Sequence, residues 1–288
     1  MNTVVQAAVW MIGAISSFTL MAVAGRAVSA ELDTFEIMLF RSLTGIAIVV
    51  SVAVATGTFS QISRKRISLH ATRNIFHFAG QNLWFYAITM IPLAQVFALE
   101  FTTPIWVILL SPLILNERIT AVGMLSAAIG FVGILIVTRP DPANISWGLG
   151  AAAGCAVFFA LTAIFTRKLT RTETITTILF YLTVMQAVLG LICAGYDGDI
   201  ALPSAASLPW VILIGCAGLL AHFCLTKALS IAPASIVMPI DFVRLPTIAV
   251  VGVLLYNEPL EVWVFVGAIL IFAANYLNIT YAMRRARG

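Results

Sequence analysis

Displaced by 141 positions, the chain falls on itself: Gly13 on Gly154, Phe18 on Phe159, Arg26 on Arg167, Pro92 on Pro233, and Asn116-Glu117 on Asn257-Glu258. One unit of five apolar segments is written twice, and no other feature restricts the fold as tightly. Both copies also carry an acid at the same place inside an apolar segment, because the offset of 141 sets Glu100 against Asp241.

The segments are too apolar for a soluble domain. The 288 residues are 61% hydrophobic and only 10% charged, with a mean hydropathy of +1.04, whereas soluble domains carry about 25% charged residues. Runs of roughly 20 apolar residues, each long enough to cross about 30 Å of hydrocarbon, recur throughout. The sequence predicts ten spans: Val4 to Ala24, Phe35 to Thr56, Asn74 to Met90, Leu93 to Leu115, Thr120 to Val137, Ser146 to Phe165, Thr174 to Ala194, Leu208 to Ala228, Ala234 to Tyr256 and Leu260 to Ala282. Helices satisfy their own backbone groups in lipid, and none of the runs shows the polar alternation of a barrel strand, so an all-α membrane protein is expected. The units are residues 1–140 and 141–288, forming one transport domain. Ala22-Val23-Ala24 looks like a signal-peptidase site, but no basic residue precedes the first span and its repeat partner lies in mid-chain, so that span is expected to be retained.

Five is odd, so two consecutive copies enter the membrane from opposite sides, which makes the repeat inverted. Arg64, Lys65, Arg66, Arg73, Arg118, Arg167, Lys168, Arg171, Lys227, Arg284, Arg285 and Arg287 then fall on one side, and they are 12 of the 16 basic residues. That side is expected to be cytoplasmic, with both termini inside. The opposite loops carry Glu31, Asp33, Asp141, Asp197 and Asp199. The basic clusters read as topology signals in contact with lipid headgroups, with no nucleic-acid partner.

Arg41, Glu100, Asp241 and Arg244 lie inside spans and sum to zero charge. Each would cost about 2.5 to 3.5 kcal/mol at a helix centre, on the order of 10 kcal/mol together, so pairing or a watery cavity is expected. Asp241 and Arg244 share a helix face at i and i+3. Arg41, near the start of the second span, reads as a residue that snorkels to the interface. Glu100 has no obvious local partner. It reads either as a structural anion bonded to Thr102, Thr103 or backbone donors, or as a group that changes protonation during transport.

On the third span His77, Gln81 and Trp84 stand at i, i+4 and i+7, one stripe of the helix. Such a stripe suits a ligand with an aromatic body and a polar head, or alternatively glues two helices. Gln81 matches His222 under the offset. Phe101, Phe158 and Tyr181, with Trp10, Tyr86, Phe97, Trp106, Phe159 and Phe242, are further candidates to line the same space. Pro104 and Pro112 in the fourth span, and Pro239 and Pro246 in the ninth, invite kinks. Gly123, Ser126, Gly130 and Gly133, with Gly267 and Ala274, mark the fifth and tenth spans as close-packed scaffold, set against their own repeat or a second subunit.

Other chemistries find no foothold. Gly148-Leu149-Gly150-Ala151-Ala152-Ala153 matches a dinucleotide pattern but sits in a span without a βαβ context. There is no phosphate-binding loop, GxSxG or HExxH motif. Cys155, Cys193, Cys216 and Cys224 lie in spans without ligand spacing. No cofactor, metal site or enzymatic activity is expected. Asn144 and Asn278 match the glycosylation pattern but abut or lie in a span.

The passages from Ile91-Pro92-Leu93-Ala94 to Leu115-Asn116-Glu117-Arg118, and from Ala232-Pro233-Ala234-Ser235 to Tyr256-Asn257-Glu258-Pro259, resemble the EamA unit of the drug/metabolite transporter superfamily. Within it the chain looks most like the YddG-type exporters of aromatic and neutral amino acids. The resemblance implies ten helices, a bacterial cytoplasmic membrane location, export, and a central cavity framed by helices 1, 3, 4, 6, 8 and 9. It also matches Glu117 and Glu258 to a helix-end acid, read here as capping the next helix. The expected function is a secondary transporter of amino acids working by alternating access, as a monomer or homodimer, with proton-coupled drug or metabolite export as the alternative. A zwitterion would place its ammonium on Glu100 or Asp241 and its carboxylate on Gln81, His77 or Arg244.

Overall fold

A computed structural model describes residues 3–115, 120–139, 146–169, 171–231, 240–241 and 243–287. The expectations placed on Asn116, Glu117, Arg118, Asp141, Asn144, Pro233, Pro239 and Phe242 lie outside the described residues. The helices are α1 (Thr3–Val28), α2 (Thr34–Ala55), α3 (Ile67–Met90), α4 (Leu93–Glu100), α5 (Thr103–Leu115), α6 (Ala121–Thr138), α7 (Trp147–Leu169), α8 (Ile175–Ala194), α9 (Leu208–Ile231), α10 (Arg244–Tyr256) and α11 (Val262–Arg287). No strand occurs among the described residues.

The offset of 141 carries helix boundaries as well as residues. It maps α3 onto α9 and α5 onto α10 at both ends, and the starts of α2 and α6 onto those of α8 and α11. Equivalent ends use related caps: Asp33 and Glu36 form a capping box at α2, and the Thr174 hydroxyl accepts the Thr177 N–H at the start of α8.

Among the described residues, six stretches are long and apolar enough to span a membrane alone: Val5–Val28, Thr34–Ala55, Leu93–Leu110, Trp147–Thr166, Ile175–Ala194 and Leu208–Leu225. Ala121–Val137, Arg244–Tyr256 and Val262–Asn278 are shorter apolar helices. Helix α3 falls outside both groups although it is 24 residues long. It buries His70, Arg73, Asn74, His77, Gln81 and Asn82, and polar side chains inside a bundle mark function rather than anchorage.

The most extensive packing runs between repeats. Helix α1 packs on α9 and α7 on α3, a pairing that the offset exchanges; α2 packs on α8 and α6 on α11, each on its own counterpart. This is the contact pattern of a two-fold relation between two five-span units. The scaffold helices were expected to pack within their own repeat or on a second subunit, and instead α6 and α11 cross each other. A Cβ on Gly133 would lie 2.8 Å from the Gly267 carbonyl oxygen, and one on Gly267 would lie 2.6 Å from that of Gly133. Only glycine lets the two backbones meet there, and close approach is what holds helices together where lipid removes the hydrophobic drive.

One end of the bundle is tied across the repeats. Arg26 pairs with Glu258, donates to the carbonyls of Ile88 and Ile91, and lies 4.5 Å from the Tyr256 ring centre. The second Glu258 oxygen accepts the Leu93 N–H at 2.9 Å. Glu258 therefore caps α4 of the other repeat, not the helix that follows it. Nearby, Glu31 accepts from the Ser204 N–H and from the hydroxyls of Ser204 and Ser207; the Ser204 N–H above all holds its carboxyl below the usual glutamate range.

Candidate functional site

The fourth span is broken. Helix α4 ends at Glu100, Phe101 and Thr102 form a turn, and α5 begins at Thr103. The ninth span restarts at the equivalent residue, Arg244, just beyond Asp241. The kinks expected at Pro104 and Pro246 thus become breaks just before them: both occupy the first turns of α5 and α10, where a missing N–H leaves no bond unmade, while Pro112 lies within an unbroken α5. The carbonyls freed at the first break are taken up locally. Thr102 Oγ1 donates to Leu99 O at 2.6 Å, Thr103 Oγ1 to Glu100 O at 2.7 Å, and Asn275 Nδ2 from α11 to Phe101 O at 3.1 Å. The threonines serve the Glu100 backbone region, not its carboxylate.

That carboxylate has two stronger partners. Trp84 Nε1 donates to one oxygen at 2.8 Å and Arg244 Nη2 to the other at 3.1 Å. The same Nη2 reaches Asp241 Oδ2 at 2.9 Å, the i, i+3 pair expected from sequence. The guanidinium carbon lies 4.8, 5.1 and 5.0 Å from the ring centres of Phe18, Phe97 and Phe101. Two acids and one cation thus share a cage of three phenyl faces, which adds cation–π attraction to charge-assisted bonds in a dry setting. Removing one member of such a buried set leaves an uncompensated charge.

Arg41 departs from its expected interfacial place. Its Nη1 donates to Gln81 Oε1 and lies 3.7 Å from Met38 Sδ, and its guanidinium sits 5.9 Å from the Phe85 ring centre. It points into the bundle because α9 has no side chain opposite: a Cβ on Gly218 would lie 3.1 Å from Arg41 Nη2. No carboxylate pairs with Arg41 among the described residues.

The α3 stripe is divided between these centres. Trp84 belongs to the acid cage and Gln81 to Arg41. His77 is 3% exposed, 6.1 Å from His222 and 6.2 Å from Phe159 between ring centres, and neither of its nitrogens has a hydrogen-bond partner among the described residues. His222 stands 5.6 Å from Phe18, whose ring also faces Arg244. Phe18 therefore touches both centres, although the sequence offered it only as a repeat position.

Other candidates lie elsewhere. Tyr181 rests on His70 at 4.6 Å, and its carbonyl accepts from Asn74 Nδ2. Phe158 faces Phe76 at 6.2 Å. Trp106 lies against Phe131 at 5.3 Å, Trp10 against Phe223 at 5.8 Å, and Tyr86 is exposed on the outer surface. Sequence reasoning missed the inward aim of Arg41 and the bond that Asn275 gives to the Phe101 carbonyl. The glycines of α9 were the available signal for Arg41; nothing local marked Asn275.

No group of three or more His, Cys, Asp or Glu suited to a metal ion occurs among the described residues. The arrangement offers flat apolar walls, a neutralised acid pair and, among the described residues, a cation in Arg41 that no carboxylate pairs, features suited to recognition of a ligand.

The profile of the EamA-like transporter family matches residues 5–139 and again residues 146–280. A riboflavin transporter of Brucella anthropi is 33% identical over 226 residues, covering 76% of this chain and 78% of the relative. A riboflavin transporter of Rhizobium johnstonii is 31% identical over 222 residues, covering 76% and 72%. An S-adenosylmethionine uptake transporter of Rickettsia prowazekii is 24% identical over 277 residues, covering 96% and 93%. A solved structure titled "Crystal structure of protein" superposes with a TM-score of 0.66 over 96% of this chain and 98% of that one, at 16% identity, a likeness of fold.

Proposed function

The chain belongs to the EamA-like transporter family, a multi-pass protein of the bacterial inner membrane and a transporter of metabolites, and from that premise we propose that its substrate is a neutral heteroaromatic compound of the flavin type. The observation that carries this reading is the commitment of both acids: Glu100 is held by Arg244 and Trp84, and Asp241 by Arg244. A cationic ammonium or sulfonium would meet acids already neutralised by Arg244, with only Asp241 Oδ1 left open among the described residues, whereas a flat neutral ring needs only the aromatic faces of Phe18, Phe97, Phe101 and Trp84. The names of two relatives at 31% and 33% identity support a flavin.

Transport proceeds by alternating access between the two repeats. The basic loops favour a cytoplasmic place for both termini, which would make the end tied by Arg26 and Glu258 the outer one. Phe18 links the two polar centres, and rocking of α1 with α9 against α3 with α7 would open the space between them to either side.

A second reading is export of neutral and aromatic amino acids of the YddG type. It draws on Asp241 Oδ1, a buried acceptor without a hydrogen-bond partner among the described residues, to which a substrate ammonium would bind.

Purified protein in liposomes separates the readings. Saturable counterflow of labelled riboflavin, without counterflow of Trp, Phe, Met, Thr or S-adenosylmethionine, is the expected result. Flux of Trp or Phe without riboflavin would replace the first reading with the second. Repeating the assay across an imposed pH gradient distinguishes proton coupling, in which the gradient drives accumulation, from facilitated diffusion.

A further inference from the structure

A recess lies between α2, α8 and α9, beside but separate from the acid cage. It is lined by Arg41, Ser42, Gly45, Gln186, Gly215 and His222, among others, and has a volume of about 20 Å³, enough for one water or one inserted carbonyl. Its hydroxyls are already engaged: Ser42 Oγ donates to Met38 O at 2.6 Å, and Thr183 Oγ1 faces the carbonyls of Phe180 and Leu179 at 3.1 and 3.2 Å.

Two groups in the wall remain open. Arg41 uses Nη1 on Gln81 and Met38, while Nε and Nη2 donate to nothing among the described residues. Gln186 is 3% exposed; its Nε2 donates to the Asn74 carbonyl at 2.8 Å and to Asn74 Oδ1 at 3.3 Å. Those two acceptors fix the amide orientation, because Asn74 Nδ2 is itself spent on the carbonyls of His70 and Tyr181. Gln186 Oε1 is then a buried acceptor with no donor among the described residues. A buried acceptor left open is costly unless something binds it, and the half-buried Arg41 holds open donors on the same wall.

We infer that this recess is the subsite for a lactam or imide edge of the substrate, whose carbonyl accepts from Arg41 and whose adjacent ring N–H donates to Gln186. The inference rests on the flavin-type reading above and narrows it. A flavin presents such an edge on its pyrimidinedione ring. An adenine ring without a lactam does not, nor does an α-amino acid with a carboxylate and an ammonium. Gly218 of α9 is part of the device: a Cβ there would lie 3.1 Å from Arg41 Nη2 and crowd the guanidinium that the edge meets, while one on Gly215 would collide first with Thr44 of α2 at 2.7 Å, so that glycine sets the close approach of the two helices.

The test uses the intact protein in detergent and in liposomes, with riboflavin and its N3-methyl derivative as probes. Methylation removes the N–H and leaves both carbonyls and the ribityl chain. The expected result is a Kd at least about tenfold higher for the N3-methyl compound, the range for leaving a buried polar group unpaired. In Gln186→Leu that discrimination should vanish, with riboflavin weakened toward its methylated analogue. Equal binding of the two by the unaltered protein overturns the subsite while leaving flavin transport intact. Binding of Trp or S-adenosylmethionine with no binding of riboflavin overturns both. If Gln186→Leu does not fold, the analogue comparison on the unaltered protein still decides the matter.

Discussion

Helices α3 and α9 begin and end at equivalent residues, yet their inner faces are opposites. Where α3 carries Asn74, His77 and Gln81, α9 carries Gly215, Gly218 and His222. The first face supplies hydrogen-bonding groups, and the second withdraws so that Arg41 from α2 can enter. Duplication has preserved the backbone, which must satisfy itself wherever it crosses lipid, while side chains were free to diverge. The two-fold frame allows the halves to rock; the one-sided chemistry lets a substrate with two different ends bind in one orientation.

The sharpest test of this contrast lies at the paired breaks. Replacing Arg244 by Gln leaves Glu100 and Asp241 facing each other without a cation, and a loss of about 3 to 5 kcal/mol is expected, measured by thermal unfolding in detergent and accompanied by loss of flux. Thr103→Ala at the matching residue removes one hydroxyl bond to a carbonyl and should cost about 1 kcal/mol. Similar losses in the two variants would refute the claim that the halves have divided their roles.

A smaller effect is expected at Trp84, whose counterpart under the offset is Leu225. Trp84→Phe keeps an aromatic face but deletes the donor to Glu100, costing about 1.5 to 3 kcal/mol; Leu225→Met should change stability by less than about 1.5 kcal/mol. Writing α3 chemistry onto α9 is the next step down. In Gly218→His the new side chain meets Arg41, and overpacking of about 1 to 3 kcal/mol is expected, read as a fall in riboflavin counterflow with the protein still monodisperse on size exclusion. Unchanged counterflow would mean that Arg41 does not need the α9 cleft. The smallest effect is expected for Tyr181→Phe, because Tyr181 sits against His70 away from the acid cage; flux should stay within about twofold of the unaltered protein.

Much of the frame was legible before any coordinates. The offset gave the two units, apolar run length gave membrane helices, and the i, i+3 spacing gave the Asp241–Arg244 pair. Contacts between distant segments were not legible. Nothing in the Glu100 neighbourhood announces an arginine 144 positions away, or that Trp84 rather than a threonine would bond its carboxylate. Arg41 misled for a related reason: position along a span suggests depth, but the direction of a long side chain is set by the space left on the neighbouring helix. Proline likewise reports where a helix is interrupted only to within a turn, since it is as comfortable just inside a new helix as it is disruptive within an old one.

The bond from the Leu93 N–H to Glu258 spans 165 positions, from the start of α4 to a carboxylate near the end of the second unit. Its consequence concerns biogenesis. When the first unit leaves the translocon, the acid that caps α4 and pairs with Arg26 has not yet been synthesised, so that unit waits in the bilayer with an open helix end and an unmatched cation. A residue near the end of the second unit thus completes the first, and a nascent chain halted before residue 258 would carry the helices of its first unit without the carboxylate that ties Arg26 and Leu93.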